Sequence, residues 1–89
     1  MRSAYYIMRL SNKRLGVITM KLYKVGILGA TGAVGREMMK ILAERQFPIS
    51  ELRLFASSRS AGKVVEWNGR PVMIQEPSEE NFRGLDIVL

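Results

Sequence analysis

Residues 24–35 read Lys-Val-Gly-Ile-Leu-Gly-Ala-Thr-Gly-Ala-Val-Gly. A short apolar run, Val25 to Leu28, leads into glycines at 29, 32 and 35, and an amphipathic stretch follows at once. An apolar run of that length, closed by glycine, reads as a strand buried on both faces. Val34, Met38, Ile41 and Leu42 fall at i, i+4, i+7 and i+8, which predicts the apolar face of a helix. Arg36, Glu37, Lys40, Glu44 and Arg45 take the opposite face. A strand, a glycine loop and a helix in that order constrain the chain to an α/β unit. They also bring bare backbone amides and a helix N-terminus to one point, where a phosphate group fits.

The three glycines have different tasks. Gly29 ends the strand, where the chain must turn tightly. Gly32 puts no side chain between the backbone and an approaching pyrophosphate, and Gly35 lets the first helical turn lie close to the strand. Their spacing is GxxGxxG, against the GxGxxG of the commonest dinucleotide fingerprint. Thr31 adds a hydroxyl, and the amides of Thr31 through Val34 are candidates for phosphate oxygens. The phosphate-contacting set is therefore Gly29, Thr31, Gly32, Ala33, Val34 and Gly35. No Gly-Lys-Ser/Thr follows, which excludes a Walker loop.

The helix is expected over residues 33–46, because Pro48 stops it and biases Phe47 away from helical angles. Leu52 to Ala56 reads as the second strand. Lys63 to Trp67 and Pro71 to Ile74 read as short strands joined by Asn68-Gly69, a strong tight-turn signal. Ser78-Glu79-Glu80 suits a helix start, with a capping hydroxyl and carboxylates at the positive end of the dipole. Asp86 to Leu89 reads as the next parallel strand. Phe55 and Trp67 are assigned to core packing, and Met38 and Met39 to core or partner contacts. Glu76, Glu79 and Glu80 are assigned to a solvated helix start, with no metal.

Charge is unevenly spread. Residues 1–36 hold seven Lys or Arg and no acid, whereas residues 37–89 hold seven basic and eight acidic residues. The net charge of +6 thus comes from the N-terminal third, and a nucleic-acid face over the folded body is not expected. The acid-free, Arg-containing start resembles a targeting peptide. The reading adopted for residues 1–19 is an upstream extension, weakly ordered, with the domain beginning at Met20. No apolar run approaches the roughly 18 residues of a membrane helix. Cys and His are both absent, so the chain offers no disulfide, no Cys/His metal site, no thiol nucleophile and no imidazole base. No catalytic residue is assigned within it.

The expected architecture is α/β: a Rossmann-like dinucleotide-binding fold with a parallel sheet, truncated after its early strands. Residues 20–89 are read as the N-terminal portion of that domain and the opening piece of a longer protein. The end of the second strand then bears on which dinucleotide is bound. NAD-specific folds place Asp or Glu about 20 residues after the glycines, on the ribose 2′-hydroxyl. Here the zone reads Ala56-Ser57-Ser58-Arg59-Ser60, without an acid. A guanidinium flanked by hydroxyls suits a 2′-phosphate, so Ser58, Arg59 and Ser60 are assigned to NADP.

Gly29-Ala-Thr-Gly-Ala-Val-Gly35, together with Ala56-Ser-Ser-Arg-Ser-Ala-Gly62, resembles bacterial aspartate-semialdehyde dehydrogenase from about Met20 to Leu89. The glycine run alone is shared with N-acetyl-glutamyl-phosphate reductase, which is the alternative, alongside a catalytically silent NADP-binding module. The resemblance implies a cytoplasmic, NADPH-dependent reductive dephosphorylation of aspartyl-4-phosphate to aspartate semialdehyde. That step serves lysine, threonine, methionine and diaminopimelate synthesis. It implies that Thr31, Gly32, Ala33 and Val34 hold cofactor phosphates and that Arg59 and Ser60 read the 2′-phosphate. It also implies a homodimer or homotetramer, with no nucleic-acid or membrane partner. The nucleophilic Cys, the acid-base His and the substrate-binding arginines of that family are expected beyond Leu89.

Overall fold

The computed structural model describes the backbone of residues 2–9 and 15–89 and the side chains of residues 21–89. In chain order the elements are β1 (Arg2–Arg9), β2 (Leu15–Leu28), α1 (Ala33–Glu44), β3 (Ile49–Phe55), β4 (Val64–Trp67), β5 (Arg70–Gln75), α2 (Glu79–Phe82) and β6 (Ile87–Val88). The architecture is α/β, as expected.

β2 has two parts. From Leu15 to Leu22 it pairs antiparallel with β1, and from Tyr23 onward it pairs parallel with β3 on one side and β6 on the other. The strand read from the apolar run Val25 to Leu28 thus begins at Leu15, through residue types that favour extended backbone (Val17, Ile18, Thr19). The weak order proposed for residues 1–19 includes Met1 and residues 10–14, which lie outside the described residues.

β3 pairs parallel with β5, and β4 closes the edge antiparallel to β5. The sheet therefore runs β4-β5-β3-β2-β6, with β2 inside. The chain moves outward from β2 through β3 to β5 and then returns to the far side of β2 with β6. That reversal is a topological switch point, the place where open α/β sheets bind ligands at the carboxyl ends of their strands.

Val25, Ile27, Leu54 and Phe55 are fully buried at the centre, and Ile74 nearly so. Gly26 is needed among them. A Cβ there would lie 2.7 Å from Leu85 Cδ1 and 2.9 Å from Phe55 Cε2. Its absence lets Phe55 meet Phe82 edge-on, with ring centroids 4.8 Å apart.

The segment between β5 and β6 is tied down by polar contacts. The Ser78 hydroxyl accepts from the Asn81 N–H at 3.0 Å and caps α2, as its sequence suggested. Arg53 Nη1 donates to the Asn81 carbonyl at 3.0 Å and to the Arg83 carbonyl at 2.7 Å, while its Nε faces the Glu51 carboxylate. The Lys24 N–H donates to Asp86 Oδ2, and the Asp86 N–H donates back to the Lys24 carbonyl, both at 2.8 Å. Asn68 and Gly69 turn the β4–β5 hairpin with φ of 51° and 79°, the two left-handed positions of a type I′ turn.

The helix corrects the sequence reading in part. Val34 is 69% exposed and Ile41 is also exposed. The line that turns inward is Gly35, Met38, Met39 and Leu42. Met38 and Leu42 keep the expected face, whereas Gly35, which carries no hydrophobic signal, and Met39 take the places expected of Val34 and Ile41. Among the described residues no helix is long and apolar enough to cross a membrane.

Candidate functional site

The glycine loop lies between the inner strand β2 and α1. Gly29 adopts φ +65°, a left-handed conformation that favours glycine. Its carbonyl accepts from the Gly32 N–H at 3.0 Å and closes the turn. The Ala30 N–H donates to the Phe55 carbonyl at 3.0 Å, which ties the loop to the end of β3.

Gly32 is the N-cap of α1, and no side chain caps that end. The first intrahelical bond runs from the Arg36 N–H to the Gly32 carbonyl. The N–H groups of Ala33, Val34 and Gly35 precede it and have no partner within the helix. The first turn holds no acidic residue to offset the positive end of the dipole. Thr31 through Val34 are exposed and Gly35 is buried, so the Ala33 and Val34 donors face open space at the switch point.

The glycines separate by their surroundings. A Cβ on Gly35 would lie 2.4 Å from the Gly29 carbonyl oxygen and 2.9 Å from Ala30 Cα, so this residue is required by packing. A Cβ on Gly32 would meet only the Gly29 oxygen, at 3.4 Å. The fold tolerates a side chain there, whereas an approaching phosphate does not. This bare, uncapped cradle fits a dinucleotide pyrophosphate.

The second candidate group sits at the same edge. Leu28 pairs with Phe55, so β2 and β3 leave the sheet side by side. Residues 57–62 then form compact turns: the Ser60 and Ala61 N–H groups donate to the Ser57 carbonyl, and the Gly62 N–H donates to the Ile74 carbonyl. Ser58 and Arg59 are exposed and Ser60 is half-buried. Arg59 belongs to neither ion pair found among the described residues. The structure thus gathers Gly29, Thr31, Gly32, Ala33, Val34 and Gly35 in one loop and the helix turn that follows it, and Ser58, Arg59 and Ser60 in the loop after β3.

A cavity of about 550 Å³ runs from Thr31 down the side of α1 toward the β4–β5 turn. Arg36, Met39 and Lys40 line it from the helix and Val64, Glu66 and Trp67 from β4. The indole N–H of Trp67 donates to the Met39 carbonyl at 2.8 Å. Sequence reasoning placed Arg36 on the solvated helix face, and the hairpin folding back beside α1 gave no local signal. Among the described residues, no three metal-ligating side chains gather into a group.

Residues 24–89 match the family described as semialdehyde dehydrogenase, NAD binding domain. The chain belongs to that family. Aspartate-semialdehyde dehydrogenase from Synechocystis sp. is 53% identical over 66 residues, covering 74% of this chain and 20% of the relative. The Aquifex aeolicus enzyme is 50% identical over 68 residues, covering 75% and 20%. Among solved structures, aspartate semialdehyde dehydrogenase II of Vibrio cholerae, complexed with ASA, aligns with a TM-score of 0.72 at 43% identity. That alignment covers 78% of this chain and 20% of the other. Aspartate semialdehyde dehydrogenase with NADP from Candida albicans aligns with a TM-score of 0.58 at 33% identity, over 76% and 22%. The chain spans about a fifth of the length of these curated relatives. As a semialdehyde dehydrogenase NAD-binding domain it takes a nicotinamide dinucleotide, which agrees with the uncapped helix end at the switch point.

Proposed function

We propose that this chain is the opening, NADP-binding segment of an aspartate-semialdehyde dehydrogenase, which converts L-aspartyl-4-phosphate to L-aspartate-4-semialdehyde. The observation that carries this is the uncapped N-terminus of α1, where Thr31, Ala33 and Val34 are exposed, set beside the acid-free loop that bears Arg59. The N–H groups of Thr31, Ala33 and Val34 hold the pyrophosphate, and the Gly32 surface gives it room. Arg59, between Ser58 and Ser60, binds the 2′-phosphate through charge-assisted hydrogen bonds. The bound nicotinamide supplies the hydride that reduces the acyl group. The chain's own residues fix the dinucleotide's position at the β2/β6 crevice. The NADP in the Candida albicans relative supports the phosphorylated form. The relatives reported above are aspartate-semialdehyde dehydrogenases, and the acetylglutamyl-phosphate reductase alternative is not favoured. A cytoplasmic homodimer or homotetramer completes the proposal.

Cofactor titration of the enzyme that carries this domain tests the reading. NADPH at 100 times its dissociation constant is expected to raise stability by about 2.7 kcal/mol in thermal unfolding. Arg59→Asp is expected to weaken NADPH by about 10- to 100-fold, the worth of hydrogen bonds to a charged group, and to spare or improve NADH. Equal losses for both cofactors remove Arg59 from the 2′-phosphate. An unchanged unfolding temperature at millimolar NADPH removes the phosphate loop itself.

A further inference from the structure

We propose that Arg36 is a second cation for the cofactor's 2′-phosphate, approaching from α1 while Arg59 approaches from the loop after β3. This rests on the NADP reading given above and adds a specificity-determining residue to it.

Three observations converge on Arg36. The first is position. Arg36 lines the cavity together with Thr31 of the phosphate loop and with Val64. Val64 follows Lys63, whose N–H donates to the Ser60 carbonyl at 3.1 Å. The mouth of the cavity therefore adjoins the loop that carries Arg59 and Ser60.

The second is unbalanced charge. Lys40, one turn further along α1, is paired with Glu44 at 3.9 Å. Glu66 supplies the one carboxylate among the described cavity-lining residues, and it forms no ion pair with Arg36. Arg36 thus has a like charge at i+4 and, among the described residues, no acidic partner. The third is the helix end. Arg36 donates the first intrahelical bond of α1, in a turn without any acid. A cation there opposes the dipole, and an anion at the same end relieves both. A phosphate seated between the two arginines gives Arg36 the anionic partner that it lacks among the described residues. The shared pyrophosphate, by contrast, already has the backbone donors of Thr31, Ala33 and Val34.

The test is calorimetric titration of NADPH and NADH into the enzyme carrying Arg36→Gln, Arg36→Lys or Arg59→Asp, at low and high salt. Arg36 is exposed, and glutamine matches arginine in helix propensity, so the fold is spared. Arg36→Gln is expected to weaken NADPH about five- to tenfold, leave NADH within about twofold, and flatten the salt dependence of NADPH binding. Arg36→Lys is expected to recover most of the loss. If Arg36→Gln weakens both dinucleotides alike, the residue acts on the common pyrophosphate and the proposal is wrong. If it changes neither while Arg59→Asp still discriminates, Arg36 is only a solvated surface cation, and the NADP reading survives without it. If the unaltered enzyme holds NADH and NADPH equally and Arg59→Asp has no effect, the NADP reading falls and takes Arg36 with it.

Discussion

One methyl group is expected to separate the fold's glycine from the ligand's glycine. Gly35→Ala drives a Cβ into the Gly29 carbonyl and the Ala30 backbone, neither of which has a flexible end to yield. Overpacking of this kind costs about 1–3 kcal/mol. Gly32→Ala meets ordinary contact distance at an unstrained φ of −80°, and its cost is the weaker N-cap, up to about 1 kcal/mol. In cofactor binding the order is expected to reverse, because the proposed pyrophosphate site lies against Gly32. Urea denaturation and NADPH titration on the two variants check the crossing. Greater destabilisation by Gly32→Ala than by Gly35→Ala contradicts the division of roles.

At the scale of elements, the Arg53 guanidinium couples β3 to the segment that delivers β6. Its Nη1 satisfies the Asn81 and Arg83 carbonyls, and the residue is only partly exposed. Arg53→Met leaves those carbonyls without that donor, a loss of about 2–3 kcal/mol for hydrogen bonds to a charged group. The Leu89 N–H, which donates to the Gly26 carbonyl, should exchange faster as β6 loosens, while the Ala30 N–H on the Phe55 carbonyl keeps its protection. Uniform acceleration across the sheet contradicts a local clamp. The same scale shows what was legible. Asn68-Gly69 and the Ser78 cap were readable because each depends on neighbouring residues alone, and the strand near 86–89 because its apolar run marks it. Half of the helix face was legible in Met38 and Leu42; Val34 was misread because its side chain lies at the exposed open end, while Gly35 packs through the absence of a side chain. Arg53 was invisible as a clamp, since its partners are backbone carbonyls 28 and 30 residues away.

For the whole molecule, the order β4-β5-β3-β2-β6 makes β2 the pivot on which both halves of the sheet meet. The glycine run predicted that β2 feeds a helix. It did not say that the chain would return on β2's other side, because that depends on Val25 and Gly26 pairing with Ile87 and Val88, some 60 residues later. The site follows from that return: an uncapped helix end becomes a crevice only when a strand flanks it on each side. The β4–β5 hairpin takes the place of a helical crossover between β3 and β5, so the side of α1 facing it keeps a cavity.

Trp67, whose ring N–H is bonded to the Met39 carbonyl, is the chain's one indole. Its emission is therefore an optical gauge of a single seam, the join between the edge hairpin and the nucleotide-facing helix. Trp67→Phe removes that bond and should loosen the seam by about 1 kcal/mol. In the unaltered protein, a shift of emission to longer wavelength ahead of the loss of helical circular dichroism would mark the hairpin as the first part to part from the body. Coincident signals would make the seam and the sheet one cooperative unit.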